Sequence, residues 1–198
     1  MKFRIDHFPE VSSTNTLLLE KAAAGEKEGL VITADYQTEG HGKLGRKWVA
    51  PAGKNLLFSV LIRPPMAANE APMLTQIACR SVAAVLNEDF KIETQFKRPN
   101  DIMAGAKKIC GVLIESATTK DRLDYAVIGI GLNVNARAKD LVPEAASMLE
   151  LLGRTTDLKP LLKRILIQLK KDLDQFYCHP ERREGSKYRD PSSLRSSG

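Results

Sequence analysis

An α+β fold, with amphipathic helices laid on a β-sheet, is what this sequence predicts, and three features predict it. Runs of β-branched and aliphatic residues recur as strand signals, strongest at Leu30–Ala34, Asn55–Ile62, Ile109–Glu115 and Leu123–Asn135. Between and after them lie segments with helical apolar spacing. A glycine-bearing turn at Gly105–Lys108 joins two strand runs as a hairpin, so part of the sheet pairs antiparallel.

Phe3 to Val11 alternates loosely and reads as an edge strand. Ser12-Ser13-Thr14-Asn15 are helix-capping types, and they precede the helical Thr16–Ala24, which Gly25 stops. Ser13, Thr14 and Asn15 are either caps alone or a helix N-terminus offering hydroxyls and N–H groups to a polar ligand; spacing leaves both open. The strand Leu30–Ala34 leads through Gln37 into Gly40-His41-Gly42-Lys43-Leu44-Gly45-Arg46-Lys47-Trp48. Glycines there allow close backbone approach, consecutive N–H groups can form an anion nest, and the interleaved cations supply charge for phosphate. The alternative is a solvated basic loop. The run is neither a Walker A loop, since no GK[ST] opens a helix, nor a dinucleotide fingerprint, since no helical periodicity follows.

Asn55–Ile62 is a second strand, ended at Pro64-Pro65. Ala71–Asp89 is helical, with Leu74, Ile77, Ala78, Val82, Val85 and Leu86 as its core stripe. Ile92–Phe96 reads as a short strand running into Lys97-Arg98-Pro99-Asn100-Asp101, which Pro99 bends. Ile102–Ala104 and Ile109–Glu115 form the hairpin around Gly105–Lys108, placing Lys107 and Lys108 where the chain re-enters the sheet. A lysine there reaches a phosphate or carboxylate as a point charge, unless the pair is a plain surface feature. After a polar turn at Thr118–Arg122, Leu123–Asn135 is a long strand with Gly129 and Gly131 on one face. Such glycines mark a slot for a slim ligand, a bulge or a crossing helix. Pro143–Leu152 and Asp157–Tyr177 read as helices, the second with a stripe from Leu158 to Phe176 that lies on the sheet.

With 43% hydrophobic and 27% charged residues in 198, the composition is that of a soluble globular domain. The net charge of +6 suits an anionic ligand or a nucleic acid without choosing between them. Cys79, Cys110 and Cys178 lack CxxC spacing, which argues for reduced thiols and a cytoplasmic setting. Met1–Asp6 has no apolar signal-type region, and no apolar run nears the roughly 18 residues of a membrane helix. From Cys178 onward, serine and charge replace periodicity. The expected organisation is one domain over 1–177 and a disordered tail over 178–198.

Taken in order, Ser13-Thr14-Asn15, the Gly40–Trp48 loop, Lys97–Asp101 with Lys107–Gly111, and Ile128–Asn135 closely resemble the catalytic domain of biotin protein ligases. The resemblance covers about residues 5 to 177. The family's GRGRxGRxW appears as Gly40–Trp48 and its KWPND as Lys97–Asp101. It implies a mixed sheet packed on helices, related to lipoate ligases and the class II aminoacyl-tRNA synthetase core. It implies that biotin and ATP give biotinyl-5′-AMP, and that biotin passes to a lysine of a biotin carboxyl carrier protein. Lys108 and Arg46 would be catalytic. Ser13, Thr14, Asn15, Gln37, Gly40, His41, Gly42, Lys43, Lys108, Gly111, Gly129 and Gly131 would hold biotin. Lys43, Arg46, Trp48, Asn100, Asp101 and Asn133 would hold the nucleotide, with Asp101 on Mg²⁺. The expected partner is the carrier protein, with no nucleic acid and no membrane; a homodimer is left open.

Three departures stand out. His41 and Lys43 occupy positions where the family has arginine, which loses the bidentate fork. Arg98 replaces the tryptophan of KWPND. Neither an N-terminal winged-helix domain nor a C-terminal SH3-like domain is expected here, so DNA binding is disfavoured and a catalytically impaired truncated remnant or a non-turnover biotin-binding module is a rival. A lipoate or octanoate ligase on the same fold is a second rival.

Overall fold

The strand runs pair into a single seven-stranded mixed sheet, ordered β1-β2-β3-β7-β6-β5-β4. The computed structural model describes residues 1–178. Its strands are β1 Arg4–Val11, β2 Leu30–Gln37, β3 Leu56–Ile62, β4 Gln95–Lys97, β5 Asp101–Ala104, β6 Lys107–Thr119 and β7 Arg122–Leu132. Its helices are α1 Thr14–Ala23, α2 Ala71–Phe90, α3 Met148–Leu152 and α4 Leu158–Cys178. Only the β1–β2 pairing is parallel, because α1 crosses over between them; the others are antiparallel.

The period of two splits the central strands between two cores. Phe58, Val60, Ile128, Ile130 and Val112 face one side, where α2 and α4 cover them. Ile32, Leu61 and Val127 face the other and meet Leu18 and Ala22 of α1. α1 is only ten residues long, so it covers part of its face. The uncovered part carries two cross-strand rows. One holds Ser59, Gly129 and Leu113; the next holds Leu57, Gly131 and Gly111. On this α1 face, glycines replace apolar side chains where the helix stops.

Some boundaries differ from expectation. Ile92 is not in a strand: Lys91 turns left-handed at φ 57 and ends α2, and Ile92 plugs the core at 6% exposure. Pro143–Ser147 is not helical. Lys108 donates its backbone N–H to Glu144 O, Ala146 donates to Lys108 O, and the Ser147–Glu150 capping box starts α3 at Met148. The hairpin turn narrows to Gly105-Ala106, so Lys107 and Lys108 lie within β6, and Asn133–Asn135 lies beyond β7. The tail expected over 178–198 lies outside the described residues, except for Cys178, which ends α4.

Candidate active site

α1 begins at the uncovered patch, and its first residues build a buried polar strip. Ser13 is the N-cap, its hydroxyl accepting from Thr16 N. Thr14 donates its backbone N–H to Gln37 Oε1 at 2.8 Å, with its hydroxyl 3.0 Å from the same oxygen. Ser59 Oγ lies 2.7 Å from Thr14 Oγ1 and 2.6 Å from Asn15 Oδ1. Asn15 Nδ2 donates to Glu115 Oε2 at 2.7 Å. Ser13, Thr14, Asn15 and Ser59 are all buried. Three oxygen–oxygen contacts thus share two hydroxyl hydrogens, so the strip has acceptor capacity to spare. A ligand bringing N–H donors would use it.

The expected glycine slot is shaped by the chain's own side chains. A Cβ on Gly129 would sit 2.2 Å from Asn15 Oδ1, and one on Gly131 would sit 2.6 Å from Trp48 Cε2. Gly111, directly across from Gly131, leaves room for both Trp48 and Lys108. These glycines border the cleft while seating the side chains that line it.

At the other end stands Lys108. The pairing of β5 with β6 shifts between Ile102 and Met103, a bulge that re-aims the strand at this point. The segment 144–146 then clamps the Lys108 backbone. Its ammonium is 2.6 Å from Asp101 Oδ1 and 5.2 Å from the centre of the Trp48 ring. Asn100 supports the same corner, exchanging backbone and side-chain hydrogen bonds with Val112. Trp48 Nε1 is buried without a hydrogen-bond partner among the described residues, a state that costs about 1–3 kcal/mol.

The glycine–cation loop closes on itself. Trp48 N donates to Gly40 O, Gly42 N donates to Arg46 O, and His41 bridges Lys47. Two amides expected in an anion nest are therefore spent within the loop. Gly40 has no space for a Cβ, which would meet Gln37 Nε2 at 2.9 Å. The tip, Lys43–Lys47, is exposed, with Leu44 at φ 60 and Gly45 at φ 69. Besides Trp48, His41 reaches inward, its Nε2 3.5 Å from Glu115 Oε2 and its Nδ1 3.2 Å from Glu39 O.

Ser13, Thr14, Asn15, Gln37, His41, Gly42, Lys43, Arg46, Trp48, Asn100, Asp101, Lys108, Gly111, Gly129 and Gly131 line one cleft of about 330 Å³. Asn133 does not reach it. It is buried, accepting from Asn55 Nδ2 and donating to Ala146 O. Gly40 lies behind the lining, under Gln37 and Trp48. Arg98 stands between this cleft and a neighbouring groove lined by Phe96, Pro72 and Thr75. Sequence reading missed Ser59 and Glu115. Ser59 is the sole polar residue of the apolar run Leu56–Ile62, which was the available signal, whereas Glu115 merely ends the run Ile109–Ile114.

Cys79 and Cys110 are buried free thiols. Burial, reinforced by Asp101, pushes Cys79 up to about 12, and burial raises Cys110 as well, so neither is a poised nucleophile. No helix of the described residues is long and apolar enough to cross a membrane.

Comparison with known proteins agrees with this geometry. Residues 7–133 match the biotin/lipoate A/B protein ligase family. The chain is 32% identical over 173 residues to the bifunctional ligase/repressor BirA of Bacillus subtilis, covering 85% of this chain and 53% of that protein. It is 32% identical over 178 residues to the biotin–[acetyl-CoA-carboxylase] ligase of Mycobacterium tuberculosis, covering 87% and 65%. It therefore spans about half to two thirds of the length of these curated relatives. The solved biotin protein ligase from Aquifex aeolicus in complex with biotin and ATP superposes with a TM-score of 0.75 at 32% identity, over 88% of this chain and 72% of that one.

Proposed function

The chain belongs to the biotin/lipoate A/B protein ligase family, and on that premise we propose that it is an ATP-dependent biotin protein ligase. The observation that carries this reading is the pairing, in one cleft, of a donor- and acceptor-bearing strip with a clamped lysine. Biotin's ureido head offers N–H donors and a carbonyl acceptor to the strip. A lipoyl dithiolane offers neither, and would leave the strip's spare acceptor capacity unused.

In the first step a carboxylate oxygen of biotin bonds to the α-phosphorus of ATP, and the bond to pyrophosphate breaks. Two anions must meet, so positive charge has to be in place beforehand. Lys108 supplies it. One of its ammonium hydrogens is held by Asp101, which leaves two for the carboxylate and the α-phosphate. Arg46 and Lys43, exposed on the loop, supply further charge to the phosphates as the loop closes. The indole of Trp48 offers a flat face for adenine. Asp101 fits Mg²⁺, which takes one or two carboxylates together with phosphate oxygens and water; when bound, it would neutralise the departing pyrophosphate. In the second step a neutral lysine amine of a biotin carboxyl carrier protein attacks the acyl carbon, the acyl C–O bond breaks, AMP leaves with the electron pair, and the amine gives up one proton to solvent as the amide forms.

The test is direct. Purified chain, biotin, MgATP and a carrier domain should yield pyrophosphate, biotinyl-5′-AMP and a biotinylated lysine. Absence of all three at micromolar protein would overturn the reading. Adenylate without transfer would keep the first step and reject the second.

A further inference from the structure

Glu115 belongs to no motif that the sequence singles out, yet it joins the two walls of the cleft. It sits on β6 opposite Val127, on the α1 side of the sheet, one row beyond Leu113 and Gly129. Its Oε2 accepts from Asn15 Nδ2 of the α1 N-terminus at 2.7 Å. The same oxygen is 3.5 Å from His41 Nε2 of the glycine loop. Both ring nitrogens of His41 face acceptors, Glu115 on one side and Glu39 O on the other.

The consequence for Asn15 follows from chemistry alone. An ionised carboxylate only accepts hydrogen bonds, so Asn15 must turn its NH₂ toward Glu115. Its oxygen must then face Ser59, which donates to it at 2.6 Å. Ser59 has a single hydroxyl hydrogen, so with that hydrogen on Asn15 its contact with Thr14 competes with Gln37 for the one Thr14 hydrogen. One carboxylate therefore sets the orientation of the Asn15 amide and, through it, the direction of the Ser59 hydroxyl. Without it, a flipped Asn15 amide would be equally well satisfied, and the strip would show a ligand mixed polarity.

We propose that Glu115 is a positioning residue: through Asn15 it fixes the donor–acceptor polarity of the head-group pocket, and through His41 it ties the glycine loop to that pocket. The proposal rests on the biotin reading for the identity of the head group, but not for the polarity itself.

The experiment uses the full chain, labelled with ¹⁵N, with Glu115→Ala, Glu115→Gln and His41→Ala as variants. Biotin and 2-iminobiotin, in which an imine replaces the ureido oxygen, are the probes. In Glu115→Ala the Asn15 side-chain amide signals should move and lose their exchange protection. Biotin affinity should fall, by about tenfold, because the Asn15 amide is no longer held in one orientation before biotin binds, and preference for biotin over 2-iminobiotin should narrow. Glu115→Gln, which can still accept, should recover most of that preference. His41→Ala should keep the preference but speed biotin release, and adding it to Glu115→Ala should have little further effect. Unchanged Asn15 amide signals in Glu115→Ala would overturn the proposal, and so would an unchanged preference ratio. If the wild-type chain binds no biotin, the ligase reading fails, and the Asn15 signals alone decide the role of Glu115.

Discussion

The polar strip and the glycine–cation loop face each other across one cleft, yet they are built in opposite ways. Strip residues are buried and bonded to one another from Gln37 through Thr14, Ser59 and Asn15 to Glu115. Loop cations Lys43, Arg46 and Lys47 are exposed, and among the described residues none lies within ion-pair distance of a carboxylate. The contrast follows from the ligands each must meet. A neutral head group is read by geometry, which rewards preorganisation. A triphosphate brings charge that is lost as pyrophosphate leaves, so its cations are better held on a segment that can open.

Lys108 gives the largest expected effect, because among the described cations lining the cleft it is the one tied to a carboxylate and clamped through its backbone. Lys108→Ala should lower the rate of adenylate formation by at least 10²–10³-fold, the order found on removing a single preorganised charge-stabilising donor. Biotin affinity should change far less. Equal losses in both, from single-turnover kinetics and calorimetry, would erase the division between binding strip and charge-handling corner.

Gly129→Ala probes the strip next. The added methyl would overlap Asn15 Oδ1, which Ser59 and the Glu115 contact hold in place. Overpacking of this kind costs about 1–3 kcal/mol. The melting temperature should fall and biotin should bind about tenfold more weakly, which corresponds to about 1.4 kcal/mol of that strain appearing as lost affinity. Unchanged biotin affinity would show that the strip tolerates movement and is not preorganised.

Most of the fold was legible because each face of the sheet has its own period-two pattern, and both helices on the α2–α4 side have full apolar stripes. The Ile92 and Pro143–Ser147 corrections share one cause: their apolar residues serve tertiary plugs and a backbone clamp, which have no periodicity to read. Within the site, Ser13–Asn15, Trp48, Asp101 and Lys108 lay in runs with their own local signals. Glu115 did not. Its partner Asn15 is 100 positions away, so nothing nearby in sequence hints at the bond. Gly129 and Gly131 were readable as a gap in a face, but not as seats for Asn15 and Trp48, for the same reason. Asn133 looked equivalent to the other site residues until its amide proved committed to Asn55 and Ala146.

The smallest expected effect is at the loop tip. Leu44 is 84% exposed, and its backbone stands at φ 60, which a leucine tolerates poorly. It adds nothing to a core, so Leu44→Ser should leave stability within about 0.5 kcal/mol of wild type. Biotin affinity should be unaffected, since the strip does not touch this side chain. Leu44→Gly goes further, because glycine adopts positive φ without strain. It should relax the closed turn while leaving its Gly42–Arg46 and Gly40–Trp48 hydrogen bonds in place. The two variants separate side chain from backbone at one position. If Leu44→Ser alone weakened biotin binding, the loop would already be packed on the strip in the free protein, and the contrast between a finished pocket and a waiting lid would not hold.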